Sequence, residues 1–298
     1  MGQKIIPNLW FNGNAAEAAR FYTEIFEGGK LLKTDYYPQE GLLDFQKPLA
    51  GEVLTVEFEL AGFKLIAINA GPEFSPNPSI SFMVNFDPAR SENAEKELDI
   101  LWEKLLEGGS VLMPVGDYGF IGHYGWLQDK YGISWQLILM DYGDSPRPPI
   151  MPSLMFGGEH QNMAAPAIAY YTSFFAGAQE GGAYPYDKQT GPATAAALMY
   201  ADFALENQWF AANDSAVEQS FTFNEGVSLM VECKDQEEID FLWDRLSSAP
   251  ENEQCGWCKD RFGVSWQVVP ENMESLMSTP DAFAKMLQMK KIIISDFG

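Results

Sequence analysis

Two cysteines three positions apart are the most evident candidates for chemistry in this chain. Cys255 and Cys258 have the C-x-x-C spacing of redox dithiols and of some zinc sites. The redox type places its first cysteine at a helix N-terminus, whereas the residues after Cys258 predict a strand and hairpin. Zinc would need two further ligands, and only Cys233 and His160 are obvious candidates in this half of the chain. Two interpretations therefore stay possible: a catalytic Cys255, or two semi-buried thiols without a chemical role.

A histidine beside aromatic residues is the second candidate. His123 precedes Tyr124 and Trp126, and an imidazole next to aromatic rings in a cavity could act as a base near neutral pH. A hydrogen-bonded structural histidine fits the same pattern. His160 follows a Gly-Gly-Glu segment with no evident partner, and we interpret it as a surface residue.

An internal repeat must position any such residues. "GWLQDKYGISWQLI" from Gly125 returns as "GWCKDRFGVSWQVV" from Gly256, and three earlier segments recur in the same order. These are "IIPNLWFNGNAAEAARFYTEIFEG" with "IMPSLMFGGEHQNMAAPAIAYYTSFFAG", "SISFMVNFD" with "GVSLMVECKD", and "ELDILWEKL" with "EIDFLWDRL". The Pro-rich stretch "YGDSPRPPI" reads as a stiff linker near 144–149. The predicted domains are 1–145 and 150–298.

Each repeat is predicted to consist of two βαβββ modules. "IIPNLWF" suits a strand, Asn12 to Asn14 offer helix caps, and Ala18, Tyr22 and Ile25 recur at helical spacing. Three β-rich runs follow, and the same order of elements begins again at Ser79. At the end of the chain, Thr279 and Pro280 are predicted to open a helix.

The duplicated ending is predicted to be a hairpin with two different faces. Asp129 and Gly132 suit its turn, with the aspartate accepting backbone hydrogen bonds. Along the next strand, Trp135 points to the opposite face from Gln136 because side chains alternate. We expect the tryptophan to pack against helices and the glutamine to face the space around which the sheet curls.

This paired layout resembles the vicinal oxygen chelate superfamily of glyoxalases, extradiol dioxygenases and bleomycin-resistance proteins. The segments "GWLQDKYGISWQL", "CGWCKDRFGVSWQVVP" and "SISFMVNF" resemble sequences of its PhnB-like, 3-demethylubiquinone methyltransferase-like branch. The resemblance covers nearly the whole chain, twice. It implies an α+β fold of tandem glyoxalase/bleomycin-resistance-like domains, each with two βαβββ modules forming a cupped mixed sheet with helices outside.

The same resemblance indicates which positions of this sequence would hold a metal ion. Members that use a metal hold it with His, Glu or Gln side chains from the first and last strands of each half. The matching positions here are Pro7, Ser79 and Gln136 in the first repeat and Pro152, Gly226 and Gln267 in the second. Only the glutamines could ligate, and a divalent metal needs more donors than that. We expect no metal and no other cofactor. Methyl transfer is not favoured either, because no Gly-rich strand-to-helix turn suited to S-adenosylmethionine is evident.

Alternation along the strands predicts which residues face each cavity. The expected lining residues are Leu9, Phe11, Ser81, Met83, Ser134 and Gln136 in the first repeat, and Leu154, Phe156, Ser228, Met230, Ser265 and Gln267 in the second. Mostly apolar linings with a few polar groups are typical of small-molecule sites and equally of a filled barrel core. The favoured function is binding of a small, partly apolar molecule. The alternative is a metal-free enzyme of unknown reaction that uses His123 or Cys255.

Composition restricts the partners. The chain has 19 basic and 42 acidic residues and a formal charge of −23, which repels nucleic acid and anionic lipid. Its three cysteines form no disulfide framework, and its first residues do not resemble a secretion signal. The expected protein is cytoplasmic and acidic, with an intramolecular pseudo-dimer that exists as a monomer or weak homodimer.

Overall fold

A computed structural model describes residues 2–44, 46–119, 122–279 and 281–298. The first repeat contains two successive modules. Module 1 comprises β1 (Ile5–Phe11), α1 (Ala15–Ile25), β2 (Lys30–Tyr36), β3 (Val53–Leu60) and β4 (Phe63–Asn69). Module 2 comprises β5 (Ile80–Phe86), α2 (Ala94–Leu106), β6 (Ser110–Gly116), β7 (His123–Gln128) and β8 (Ser134–Leu139). The predicted βαβββ order is confirmed in both modules.

The second repeat follows the same order with one strand fewer. Module 3 comprises β9 (Ile150–Phe156), α3 (Ala164–Thr172), β10 (Gln179–Pro185), β11 (Leu198–Leu205) and β12 (Gln208–Asp214). Module 4 comprises β13 (Val227–Cys233), α4 (Gln236–Leu246), β14 (Trp257–Lys259) and β15 (Ser265–Pro270). The helical tail consists of α5 (Met273–Met277), α6 (Ala282–Leu287) and a short 3-10 turn (Ile294–Phe297). The expectation of four complete βαβββ modules is therefore wrong for module 4, where residues between α4 and β14 form only a 3-10 turn.

The strands form two mixed sheets, and each sheet combines modules from both repeats. Sheet A has the order β14-β15-β13-β1-β4-β3-β2, so module 4 joins module 1. Sheet B has the order β10-β11-β12-β9-β5-β8-β7-β6, so module 3 joins module 2. The central pairings are antiparallel, with Asn8 opposite Ser228 in sheet A and Ser153 opposite Ser81 in sheet B. The α+β fold class with two cupped mixed sheets is confirmed. The two repeats exchange modules to build the sheets, which the sequence did not predict.

One continuous hydrophobic core joins both sheets and the helices. Tyr22 of α1 lies 5.4 Å from Trp135 of sheet B, measured between ring centroids. Tyr171 of α3 lies 5.8 Å from Trp266 of sheet A. Because α1 also packs on β3 and α3 on β11, these two helices fill the space between the sheets. The other face of each sheet is left for the candidate sites.

Helix α1 starts where the asparagines predicted it, but a different side chain supplies its cap. Asn14 is the N-terminal flanking residue and makes no capping hydrogen bond through its side chain. Instead Asn69, at the end of β4, accepts a hydrogen bond from the backbone N–H of Ala15 at 3.0 Å. Asp214 does the same for Ala164 at the start of α3, also at 3.0 Å. Each cap ties a helix to the strand beside its own first strand.

The tail replaces the missing strand of module 4. The backbone N–H groups of Cys255 and Gly256 donate to the carbonyls of Met289 and Lys290 at 2.8 and 2.7 Å. At the opposite edge of sheet A, Lys33 of β2 forms an ion pair with Glu274 of α5 at 3.2 Å. The tail therefore contacts both edges of sheet A. Pro280, predicted with Thr279 to open a helix, lies outside the described residues, and α6 begins at Ala282. Among the residues that the structure describes, no helix combines the length and apolarity needed to cross a membrane.

The linker contributes a buried side chain to sheet B. Arg147 is 9% exposed, and its Nε donates to Oδ2 of Asp202 at 2.8 Å. Its guanidinium carbon lies 3.7 Å from the centre of the Trp209 ring. Asn85, at the end of β5, donates to the carbonyl of Pro148 at 2.7 Å and so fixes the linker to the sheet. This segment is therefore part of the packed structure as well as a connection.

Candidate functional site

A polar cluster lies on the free face of sheet B, centred on the last strand. Gln136 donates from Nε2 to the hydroxyls of Ser81 at 2.7 Å and Ser153 at 3.3 Å. Its carbonyl oxygen accepts a hydrogen bond from the phenol of Tyr124 at 2.8 Å. We call these four residues the Gln136 cluster. They are buried, and Met83, Ile138, Met151 and Ala211 pack around Tyr124 on the same face.

The free face of sheet A carries the corresponding cluster with fewer internal bonds. Gln267 donates from Nε2 to the hydroxyl of Ser228 at 2.9 Å. Asn8 lies opposite Ser228 across the β1–β13 pair, so both side chains share this face. Trp257 stands opposite Gln267, and its ring centroid lies 5.9 Å from that of Trp10. We call Asn8, Ser228, Gln267, Trp10 and Trp257 the Gln267 cluster.

Trp10 and Trp257 are in contact although their strands are not neighbours in sheet A. Their strands, β1 and β14, are separated by β13 and β15. Neighbouring strands lie about 4.8 Å apart, so these two backbones are separated by roughly 14 Å along a flat sheet. The indoles nevertheless meet over the floor formed by Ser228 and Gln267. Phe74 adds a third ring, 5.1 Å from Trp10 and nearly perpendicular to it.

Four of the predicted lining residues face the wrong way. Leu9 and Phe11 of β1, and Leu154 and Phe156 of β9, are buried in the main core on the helix side. The residues that face the clusters on these strands are Asn8 and Ser153. Nearly all residues of both first strands are buried, and their sequences are nearly continuous apolar runs in which alternation gives no sign of which face is polar. Asn8, in the middle of such a run, was the available signal.

The remaining predicted residues lie on the expected strand faces but belong to different sheets. Ser81, Met83, Ser134 and Gln136 lie in sheet B, whereas Ser228, Met230, Ser265 and Gln267 lie in sheet A. Leu9 and Phe11, expected beside the first group, belong to sheet A. The grouping of lining residues by repeat is therefore wrong, because the repeats exchange modules. Ser134 accepts a hydrogen bond from Nε1 of Trp126 at 2.7 Å, which places Trp126 on the same face.

His123 is not near either cluster. Its Nε2 lies 2.8 Å from Oδ1 of Asp99 on α2, on the helix side of sheet B. Its neighbour Tyr124 points the other way, into the Gln136 cluster, as alternation along β7 requires. The structure therefore brings His123 together with a surface carboxylate. It does not place the imidazole in a cavity among aromatic rings.

The cysteine pair does not form a dithiol centre. All three cysteines are free, and Cys258 is buried in the main core while Cys255 is half-buried. Burial raises the pKa of both thiols above the usual range, which disfavours the nucleophilic thiolate. Cys255 lies just before β14 with a φ of 53°, a left-handed conformation that breaks the strand at this point. Among the described residues, no group of three or more His, Cys, Asp or Glu side chains could hold a metal ion.

The metal positions inferred by resemblance also need correction. Pro7 and Pro152 belong to the first strands, where the cluster-facing positions are the adjacent Asn8 and Ser153. The donors facing each cluster are thus amides and hydroxyls. Such neutral groups do not fit a divalent transition metal, which prefers imidazole, thiolate and carboxylate ligands.

The duplicated aspartate of the hairpin proves to be a buried scaffold element. Asp129 accepts hydrogen bonds from the backbone of Tyr131 and Ile133 at 2.8 and 3.0 Å, as expected for the turn. Its other oxygen accepts from Nε1 of Trp135 at 2.8 Å. Asp260 makes the same contacts with Phe262, Val264 and Trp266. The repeated hairpin therefore contributes scaffold through its aspartate and tryptophan, and a polar floor through its glutamine.

Comparison with known proteins identifies the family. A family model described as 3-demethylubiquinone-9 3-methyltransferase matches residues 3–138 and again residues 148–269. This chain belongs to that family. Its two matched regions are the two sequence repeats.

Similar proteins are also found among solved structures. A PhnB protein from Bacillus cereus is 34% identical, with a TM-score of 0.39, and the match covers 46% of this family member and 100% of that chain. Glyoxalase I from Zea mays is 15% identical, with a TM-score of 0.54, and the match covers 92% of this chain and 94% of that one. The maize enzyme therefore shows a shared fold over both repeats and nothing about activity. No match is found among curated proteins.

Proposed function

We propose that this protein binds a small, partly apolar molecule over the polar floor of a cupped sheet, without a bound metal. The observation that carries the proposal is the arrangement of one glutamine, one serine and one asparagine or serine at the centre of each sheet. Aromatic and methionine side chains surround these groups. Small-molecule sites combine such apolar walls with a few convergent polar groups that fix orientation.

Catalysis by the candidates from the sequence has less support. His123 is paired with Asp99 on the helix side, and the raised pKa of the Cys255 thiol keeps it protonated at neutral pH. Neither residue is joined to a cluster by a hydrogen bond among the described side chains. The family description names a methyltransferase. We do not assign methyl transfer, because the βαβββ order of modules 1 to 3 differs from the alternating β/α units that bind S-adenosylmethionine in the usual way.

The proposed partner is a small molecule rather than a macromolecule. Each sheet obtains both of its modules from one chain, so a second copy is not needed to complete either floor. The formal charge of −23 also disfavours nucleic acid and anionic membranes. We therefore propose a monomer or a weak homodimer as the binding species.

A thermal-shift screen of small metabolites tests the proposal. A ligand at a hundred times its dissociation constant adds about 2.7 kcal/mol to the free energy of unfolding, a readily measured shift. Hits are then titrated against Gln136→Leu and Gln267→Leu. A hit whose affinity falls in one of these variants supports the proposal. Absence of hits, or hits indifferent to both substitutions, would contradict it.

A further inference from the structure

We propose that sheet A carries the binding site, that the floor of sheet B is closed by its own side chains, and that the ligand is a neutral or cationic aromatic compound with N–H donors. This inference rests on the proposed function and deepens it. The two floors have the same origin in the sequence repeat, so their differences show where a ligand is required.

The floor of sheet B is the Gln136 cluster, and its side chains satisfy one another's hydrogen bonds. Both ends of the Gln136 amide are used, since Nε2 donates to Ser81 and Ser153 and the carbonyl accepts from Tyr124. Trp126 donates to Ser134 on the same face. A ligand would have to break these bonds to reach the glutamine, and the loss would offset what it gained.

The floor of sheet A leaves two carbonyl oxygens without such partners. Asn8 is only 4% exposed, yet its Oδ1 has no hydrogen-bond partner among the described residues. Gln267 donates to Ser228, but no described residue donates to its carbonyl. Buried acceptors are nearly always paired in folded proteins, and an unpaired one destabilises the fold. The Asn8 oxygen is the one described side-chain atom of this floor that is both buried and unpaired, and a ligand with N–H donors would satisfy it.

Two differences between the corresponding modules explain why sheet A has fewer hydrogen bonds on this face. Ser153 of sheet B corresponds to Asn8 of sheet A, since each lies opposite the serine of the neighbouring strand. Tyr124 corresponds to Cys255, which cannot supply a phenol and whose backbone is held instead by Met289 of the tail. The carbonyl of Gln267 therefore lacks the phenol donor that the carbonyl of Gln136 has in sheet B.

The walls above this floor favour a flat ring. Trp10, Trp257 and Phe74 meet edge to face, with ring centroids 5.1 and 5.9 Å apart. The Nε1 group of Trp10 is already used by the carbonyl of Gly71 at 2.8 Å, which fixes the orientation of that indole. Aromatic rings pack well in such edge-to-face arrangements.

The charges near the floor disfavour an anion. Glu232 continues the line of Ser228 along β13, and Glu57 lies on the same face of β3, opposite Ile66. Burial raises the pKa of Glu232, the nearby Lys64 opposes this rise, and Glu57 adds to it. Glu271 adds a third carboxylate against the one ammonium group of Lys64, and Lys259, on the same face as Trp257, is paired with Glu225. The surplus of carboxylates would repel a ligand carboxylate and attract a cationic amidine or amine.

Three related probes test the ligand class. Benzamidine presents two NH2 groups and a positive charge, benzamide presents one NH2 group without charge, and benzoate presents no donor and a negative charge. We expect benzamidine and benzamide to bind at least about tenfold more tightly than benzoate by calorimetry. In 5-fluorotryptophan-labelled protein, the ¹⁹F resonances of Trp10 and Trp257 should shift, and that of Trp126 should not. Assignment uses single Trp→Phe variants.

Matched variants test the site. Asn8→Leu and Gln267→Leu should each weaken benzamidine binding at least about tenfold, whereas Ser153→Leu and Gln136→Leu in sheet B should leave it unchanged. Asn8→Leu should also raise the Tm of the free protein, because it removes an unpaired buried carbonyl. If Asn8→Leu does not fold, Asn8→Ser, which introduces the residue found in sheet B, is tested in its place and should also weaken benzamidine binding.

The outcomes separate this inference from the proposed function. If a metabolite hit or a probe loses affinity in Gln136→Leu but not in Gln267→Leu, the protein binds small molecules and the choice of sheet A is wrong. Equal binding of benzoate and benzamidine overturns the ligand class. If Asn8→Leu raises the Tm and none of the probes binds, the carbonyl of Asn8 is satisfied by water alone, and the inference fails.

Discussion

The phenol of Tyr22 donates a hydrogen bond to the buried carboxylate of Asp129 at 2.7 Å, which fastens module 1 to module 2. Tyr171 and Asp260 repeat this contact at 2.6 Å between modules 3 and 4. In each case the tyrosine belongs to a helix between the sheets and the aspartate to the hairpin of the opposite sheet. The two sheets are therefore joined by two equivalent buried polar contacts within an otherwise apolar core.

Acidification is expected to stabilise the fold through these carboxylates. Burial raises the pKa of Asp129 and of Asp260 to about 6, although their hydrogen bonds oppose the rise. In the unfolded chain an aspartate has a pKa of about 3.9, so the folded protein binds more protons between pH 4 and 6. Stability should then fall as pH rises through this window, by about 1–3 kcal/mol for each site. Urea unfolding at intervals from pH 4.5 to 7.5 measures the slope.

A control separates this effect from the relief of general charge repulsion. Asp129→Asn with Asp260→Asn should reduce the slope, while the rest of the negative charge is unchanged. Tyr22→Phe removes one donor to the carboxylate and should move the window to higher pH. An unchanged slope in the double asparagine variant would show that these residues do not titrate in this range.

Truncation of the hairpin tryptophans should strongly destabilise the protein. Trp135 and Trp266 are fully buried between sheet and helix. Trp135→Ala or Trp266→Ala should lower the free energy of unfolding by about 3–5 kcal/mol. Ile100→Ala, on an exposed position of α2, should change it by less than about 0.5 kcal/mol. Guanidinium unfolding followed by circular dichroism gives both values, and equal effects would refute the assigned packing.

The linker arginine should be coupled to its partner in stability. Arg147→Met leaves the carboxylate of Asp202 buried without its ion pair and should cost about 3–5 kcal/mol. Asp202→Asn added to Arg147→Met should recover much of this loss, because the buried charge is then removed. A double-mutant cycle by denaturant unfolding checks the prediction. Additive effects of the two substitutions would mean that the ion pair is not coupled.

Removal of metal ions should leave the fold unchanged. The donors facing both clusters are amides and hydroxyls, which bind transition metals poorly. Dialysis of untagged protein against a chelator should shift the Tm by less than about 1 °C, since no ligand that stabilises the folded state is removed. Elemental measurement before and after dialysis provides the control. Retention of one equivalent of zinc, nickel or iron per repeat, with a lower Tm after its loss, would contradict the prediction.

The sequence predicted the elements well because their patterns are local. The strand "IIPNLWF" coincides with β1, and the helix predicted from the spacing of Ala18, Tyr22 and Ile25 is α1. The facing of Trp135 and Gln136 also followed correctly from alternation, because the last strand carries polar residues at alternate positions. Period-two and helical spacing operate within about ten residues and do not depend on the rest of the fold.

The pairing of modules could not be predicted in the same way. Strand β1 could pair with β5 or with β13, and these two strands resemble one another because they are copies. Nothing local distinguishes the two partners. The contact between Tyr22 and Asp129 was equally hidden, although both residues recur at equivalent positions in the second repeat. A recurring polar residue on the apolar face of a helix was the signal for it.

The exchange of modules between repeats has a consequence for how such a protein can diverge after duplication. Neither half of the chain contains a complete floor. In sheet A, Asn8 comes from the first repeat, while Gln267 and Cys255 come from the second. Reshaping the whole of one floor therefore requires changes in both halves, whereas a single substitution alters only the sheet to which its module belongs. Separate fragments 1–145 and 150–298, expressed together, should assemble into an intact heterodimer, whereas either fragment alone would have to pair with itself. Each polar floor therefore depends on residues of both repeats, and neither repeat can carry a complete floor by itself.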